Sequence, residues 1–175
     1  MPFSIRPTTE EFPAFYHGYA EKAEGPDLLE ALRIAQTRLH DVLRPVTEDK
    51  AGFRYAPGKW SIKEVVQHVT DCERIFNYRA LRFARKDTTA LPGFEENDYA
   101  PASEADRQTL RSLMNELDVV RSSTLLMIQG LPPGALERSG VSNGRPISVR
   151  AICWVIAGHS NHHAAVLAER YVNRI

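Results

Sequence analysis

Apolar residues recur at helical spacing in four long stretches of the chain, and no stretch alternates apolar and polar residues with the period of a half-buried strand. The first predicted helix covers about residues 26–43, where apolar positions form one stripe. The second covers about residues 61–85, because Ser61 followed by Glu64 three positions later forms a capping box. Each helix should bury its apolar stripe against the rest of the chain.

Two more helices are predicted in the second half of the chain. Ser103 with Asp106 indicates the start of a third helix, whose apolar stripe ends at Ile128 before the sequence GLPPG. The sequence RSGVSNGRP then predicts a turn-rich link, and Ser148 predicts the N-cap of a fourth helix that continues to the C-terminus. Four amphipathic helices in one short chain predict an all-α protein, a four-helix bundle.

The segment 86–103 is long for a connection in a helical bundle and contains prolines. It should therefore cross the bundle or wrap around one end of it. A chain of 175 residues is long enough for one domain covering residues 1–175. Residues 1–25 are then an N-terminal extension that packs on the bundle.

Charge and cysteine content narrow the class of protein. With 22 basic and 22 acidic residues the formal net charge is +0, so no overall field attracts nucleic acid or an anionic membrane surface. Neither a secretory leader nor an apolar span of about 20 residues is evident, which predicts a soluble, cytoplasmic protein. Cys72 and Cys153 lie among apolar neighbours and fit reduced core thiols. The expected partners are a small molecule and a second copy of the chain.

Three histidines are crowded into the fourth predicted helix, in the sequence AGHSNHHAAVLAERY. His159 and His163 lie four residues apart, which places both on one apolar face and lets their Nε2 atoms converge on one metal ion. His162 lies on a face that ends in charged residues and is the weaker candidate ligand. A hydrogen-bonded structural pair is the alternative interpretation of His159 and His163.

His68 supplies a third imidazole, at an apolar position of the second predicted helix. If the second and fourth helices face each other, His68, His159 and His163 form a three-histidine site with open coordination positions, as in catalytic metal centres. Zinc and nickel both suit neutral imidazoles, and the ligand set does not separate them.

Residues near this site have two interpretations each. Asp71 could accept a proton from a ligand imidazole or from water, or could be a solvated helix acid. Cys72, one turn after His68, is a rival ligand or a core residue. Candidates for shaping a substrate pocket, each with an ordinary structural alternative, are Trp60, Arg79, Arg82 and Tyr99.

The residues quoted above resemble a known family. The runs APGKWSIKEVVQHVTDCERIFNYRALRFAR, LPGFEENDY and ISVRAICWVIAGHSNHHAAVLAERY are similar to the DinB/YfiT-like superfamily of metalloenzymes. The similarity combines a Trp-Ser-Ile opening, a His-x-x-Asp on the second helix and a His-x-x-His-His on the fourth. It implies a four-helix bundle with a long crossover connection, a homodimer, and a divalent metal on His68, His159 and His163.

The resemblance also implies an enzyme whose bound divalent ion, zinc or nickel, activates water or a low-molecular-weight thiol. The protein would then be a hydrolase or a thiol-dependent S-transferase acting on a small molecule. The alternative is a non-catalytic dimeric stress protein that binds a metal or a small ligand. Relatives commonly carry Gln or His three residues after the last ligand, where this chain has Val166, and this departure weakens the transferase interpretation.

Overall fold

A computed structural model describes residues 2–175 of the chain. The helices and strands of these residues are, in order, α1 (His17–Ala20), α2 (Leu28–Leu43), α3 (Ile62–Ala84), α4 (Glu96–Ala102), α5 (Leu110–Gln129), β1 (Ser139–Ser142), β2 (Arg145–Ser148) and α6 (Val149–Arg170). Single 3-10 turns cover Pro2–Ser4, Thr9–Glu11, Ala14–Tyr16, Ala105–Arg107, Ala135–Glu137 and Val172–Arg174.

The caps predicted for the second and fourth long helices are confirmed. The Ser61 hydroxyl accepts a hydrogen bond from the Glu64 amide at 3.1 Å, and the Glu64 carboxylate accepts one from the Ser61 amide at 2.8 Å. The Ser148 hydroxyl accepts one from the Ala151 amide at 2.9 Å. Both helices therefore begin with a capped first turn. These helices, α3 and α6, carry His68, His159 and His163.

The predicted start of the third helix is wrong. The segment before Ser103 forms the short helix α4, and Glu104 then adopts a left-handed backbone conformation with φ 48°, which interrupts the helix. The third long helix, α5, begins after Thr109, whose side chain accepts from the Ser112 amide at 3.1 Å.

No stretch of the sequence alternates like a half-buried strand, yet the structure adds to the four helices a small antiparallel hairpin of β1 and β2. Asn143 and Gly144 make its turn, with φ values of 51° and 70°, as a two-residue hairpin turn requires. Leu91 extends this sheet, since its amide donates to Val141 and its carbonyl accepts from Asn143. The hairpin thus fixes the connection between α3 and α5 over one end of the bundle.

The long helices α2, α3, α5 and α6 form a four-helix bundle, as predicted. The main contacts of α6 are with α2 and α3, and those of α5 are with the same two helices. The long helices α2 and α3 follow each other in the chain but lie diagonally opposite each other in the bundle. The same is true of α5 and α6. The connections 44–61 and 130–148 cross the bundle, whereas the connection 85–109 joins neighbouring helices.

Helix α6 is buried on nearly all sides over its first three turns, because residues 3–23 cover the side that the bundle leaves open. The Asn161 side chain donates to the Lys22 carbonyl at 2.8 Å, and Glu11 pairs with Arg150 at 2.9 Å. Gly158 allows this approach, since a Cβ at that position would collide with the Tyr19 carbonyl. Within the described chain, none of the helices is both long enough and apolar enough to cross a membrane.

Candidate metal centre

His68, His159 and His163 meet where α3 packs against α6. The Nε2 atom of His159 lies 3.2 Å from that of His68 and 3.1 Å from that of His163. The rings of His68 and His163 are 4.8 Å apart between centroids. His68 and His159 are buried, with 8% and 7% of their surface exposed. The structure therefore brings together the three histidines that the sequence predicted as a group.

Hydrogen bonds among the three imidazoles cannot pair all of the Nε2 atoms that lie close together. An imidazole nitrogen carries either one hydrogen or one lone pair, so His159 Nε2 can make one strong hydrogen bond although two other Nε2 atoms lie close to it. A divalent ion accepts lone pairs from all three nitrogens at once. Two nitrogens that are about 2.0 to 2.1 Å from a tetrahedral ion are about 3.3 Å from each other. The donor set and its spacing fit a divalent cation.

The three imidazoles are held in the neutral form. Burial lowers the pKa of His68 to about 4, and the nearby His162 adds to the shift. Burial lowers the pKa of His159 and of His163 well below the ordinary value, and repulsion from the neighbouring histidines acts in the same direction. Neutral imidazole is the form whose lone pair binds a metal, so no proton has to be displaced at neutral pH.

Cys72 is a fourth donor beside this group. Its Sγ lies 3.7 Å from the His68 ring nitrogens, and the ligand atoms of His68, Cys72 and His159 all lie within 4.8 Å of one another. Burial raises the pKa of the Cys72 thiol to about 12, and the carboxylates of Glu96 and Asp71 add to the rise. The thiol is therefore protonated at neutral pH and is the weaker donor.

A cavity of about 120 Å³ reaches His68 and His159. The N-terminal segment, α3, the connection after α3 and the hairpin turn all contribute to its walls, among others through Tyr16, Tyr19, Phe76, Arg79, Phe94 and Asn143. Burial raises the pKa of both tyrosines, so their hydroxyls remain hydrogen-bond donors at neutral pH. Aromatic side chains make up much of the cavity wall, which also contains the guanidinium of Arg79.

A second cavity of about 210 Å³ reaches His163 and shares no lining residue with the first. Trp60, Tyr171 and Val166 are among its lining residues. The histidine group can therefore be approached from two different sides.

Comparison with known proteins places this bundle in a family. A family model described as the DinB superfamily matches residues 31–167, which is most of the chain. The chain belongs to the DinB superfamily. A protein of Oceanobacillus iheyensis with the name "Putative metal-dependent hydrolase" is 25% identical over 151 residues, which cover 83% of this chain and 86% of that protein.

A solved structure has the same fold as this DinB-superfamily chain. YfiT from Bacillus subtilis, described as a probable metal-dependent hydrolase with an unusual four-helix bundle topology, superposes with a TM-score of 0.73. The match covers 98% of this chain and 93% of that one, at 16% sequence identity. The resemblance seen in the sequence is confirmed for the family and the fold.

Asp71 and His162, two residues singled out in the sequence, differ in their relation to the histidine group. The Asp71 carboxylate accepts a hydrogen bond from the Gln67 side chain at 2.9 Å and lies 3.6 Å from Arg74. Both of these partners lie on α3, and neither is one of the three histidines. The ring of His162 packs edge-on against Tyr19 at 5.2 Å and remains half-buried. The role of Asp71 as a proton acceptor stays a prediction.

The candidates for shaping a substrate pocket separate in the structure. Trp60 packs on the His68 ring at 4.7 Å, and Arg79 lines the first cavity. Arg82 instead pairs with Asp87 at the surface, and Tyr99 is 47% exposed.

Four residues that line the first cavity were not predicted from the sequence, because they lie in segments where apolar residues show no regular spacing. They are Tyr16, Tyr19, Phe94 and Asn143. The Asn-Gly pair was the one available signal among them, because it is typical of a hairpin turn.

Proposed function

We propose that the protein is a metal-dependent hydrolase whose divalent ion, zinc or nickel, is held by His68, His159 and His163. The observation that supports this most strongly is the position of the neutral His159 Nε2 atom, which lies within 3.2 Å of the Nε2 atoms of both His68 and His163 and next to a cavity. The names of the Oceanobacillus protein and of YfiT agree with this activity. Three protein ligands leave a coordination position free, as catalytic zinc sites do.

The ion would supply Lewis acidity, lowering the pKa of water to about 7 and polarising a carbonyl oxygen. The residues of the chain do the remaining work. The helices α3 and α6 hold the imidazoles in fixed positions, and Trp60 packs on the His68 ring. Tyr16 and Tyr19, neutral at pH 7, can donate hydrogen bonds to a substrate in the first cavity.

Metal content tests the site directly. Protein purified without a His-tag or chelator should contain about one equivalent of a transition metal, measured by elemental analysis. His159→Ala should lose it, since His159 Nε2 is the centre of the group. His40→Ala is the matched control, because His40 pairs with Asp118 outside the site. Less than about a tenth of an equivalent, unchanged on adding zinc or nickel, would contradict the proposal.

Turnover tests the reaction. Metal-loaded protein should hydrolyse members of a panel of small esters and amides, and His159→Ala should not. Equal activity in His159→Ala would assign the hydrolysis to another site. A bound stoichiometric metal with no turnover of any substrate would favour the non-catalytic metal- or ligand-binding protein.

A thiol-dependent S-transferase is the second candidate, and one observation favours it. The cavities that reach His159 and His163 have no lining residue in common, so a thiol and its acceptor could approach from different sides. Val166 lies in the wall of the second cavity and offers no polar contact to a thiol. A rate that saturates with added thiol and yields a thioether product would favour the transferase over the hydrolase.

Location and assembly complete the proposal. We place the protein in the cytoplasm, where the two free, buried cysteines would remain reduced. We also propose a homodimer that acts on a small-molecule substrate. The balanced charge offers no basis for binding nucleic acid or a membrane surface.

A further inference from the structure

Arg79 is a buried cation in the wall of the cavity that leads to the histidines. Only 4% of its surface is exposed. Its Nη2 donates to the Pro92 carbonyl at 2.8 Å, and the guanidinium approaches the Tyr16 hydroxyl. Among residues 2–175, no carboxylate lies within 4.0 Å of it. A buried charge that meets one backbone carbonyl, one tyrosine hydroxyl and aromatic rings, but no counter-ion, is disfavoured in a protein interior.

Arg121 shows how this chain neutralises a buried arginine that has a structural role. It is 1% exposed, pairs with Glu73 at 2.8 Å through two of its nitrogens, and donates to the Leu32 carbonyl. Arg79 is almost as deeply buried but lacks such a carboxylate. The difference indicates that an anion from outside the chain completes the site at Arg79.

The distance from Arg79 to the histidines limits how far apart the two ends of a ligand in this cavity can lie. His68, Phe76 and Arg79 lie along one side of α3, and the eleven residues from His68 to Arg79 correspond to about 16 Å along the helix axis. Long helical side chains lean towards the N-terminus, which shortens the gap to the histidines. The guanidinium carbon lies 5.9 Å from the Phe76 ring and 5.7 Å from the Phe94 ring. An apolar group would fill the space between the cation and the metal ligands.

We propose that Arg79 binds a carboxylate of the substrate, so that the substrates are small esters or amides with a carboxylate at the end remote from the scissile bond. This rests on the proposed hydrolase function. A planar guanidinium matches a carboxylate in two parallel hydrogen bonds. A carboxylate suits the site better than a phosphate dianion, because Arg79 is the one cation among the residues that line the cavity and Glu96 lies in the same wall.

Ligand binding, measured without turnover, tests this. The probes are phenylacetate and 3-phenylpropionate, with phenylacetamide and 3-phenylpropionamide as neutral counterparts. We expect each carboxylate to bind about tenfold or more tightly than its amide in isothermal titration. The preference should persist in metal-free protein and in His159→Ala, because it comes from Arg79 and not from an ion. Failure of the metal site would therefore leave this result unchanged.

Variants on α3 assign the preference to one residue. Arg79→Met should bind carboxylate and amide equally, whereas Arg79→Lys should keep part of the preference. Arg82→Met is the matched control, since Arg82 lies at the surface with Asp87 and should not contribute. Glu96→Gln should bind the carboxylates more tightly because it removes a like charge from the cavity wall.

Four results would overturn the proposal. These are equal binding of the carboxylates and amides by the unmodified protein, absence of binding by all the probes, an unchanged preference in Arg79→Met with native circular dichroism, and tighter binding of phenyl phosphate than of phenylacetate.

Discussion

Burial of His68 links the protonation of the site to the stability of the fold. Its pKa falls from 6.5 to about 4 on folding. In metal-free protein, the unfolded chain therefore takes up a proton at a higher pH than the folded chain does. The stability due to neutral His68 is fully present above about pH 6.5 and is lost as the pH falls towards 4.

We expect the free energy of unfolding of chelator-treated protein to fall by on the order of 3 kcal/mol across this range through His68. His159 and His163, whose pKa values are also lowered, should add to the loss. Urea denaturation at several pH values between 7 and 4 measures the slope. His68→Leu should flatten it, because the variant lacks this titrating imidazole. The same slope in His68→Leu and the unmodified protein would refute this linkage.

The grouping of the three histidines was accessible from sequence, whereas Arg79 could not be distinguished from Arg82. Helical periodicity fixes which residues share a face, and this placed His159 and His163 together and identified His68 at an apolar position. The surroundings of Arg79 depend instead on Phe94 and the Pro92 carbonyl. Both lie in the connection between α3 and α5, where apolar residues do not recur at a regular spacing that would predict its course. A cavity wall built from such segments is defined by tertiary contacts alone.

The close approach of α1 to α6 depends on a missing side chain at Gly158. We expect Gly158→Ala to reduce the free energy of unfolding by about 2 kcal/mol, because the new methyl group would push the Tyr19 carbonyl away. Hydrogen exchange should accelerate in residues 14–23 more than in the cores of α3 and α6. Gly18→Ala is the control, since a Cβ there meets no atom within 4 Å. Equal effects of the two substitutions would show that the approach is not tight.

The helices and strands were predicted from the sequence with unequal success. The long helices followed from their apolar stripes, and the capping signals at Ser61 and Ser148 gave the correct starts for α3 and α6. The signal at Ser103 failed because capping residues also occur in turns, and here Glu104 interrupts the helix. The hairpin was missed because its strands are four residues each, too short to show an alternating pattern.

At the scale of the whole molecule, homodimerisation stays a prediction. On α3, Phe76 and Phe83 are buried within the chain, whereas Tyr78 and Leu81 are exposed. Light scattering at micromolar concentration should give twice the 19.7 kDa of one chain if the dimer forms. A mass of one chain would contradict it.

The contacts between the first and last parts of the chain determine when the cavity can form during synthesis. Ile5, Glu11 and Lys22 find their partners on α6, at sequence separations of 149, 139 and 139 residues. A ribosome releases these residues first, yet they have nothing to dock on until α6 has emerged. His159 and His163 also arrive with α6. The part of the cavity wall that the N-terminal segment supplies is therefore synthesised first but put in place last, when His159 and His163 join His68.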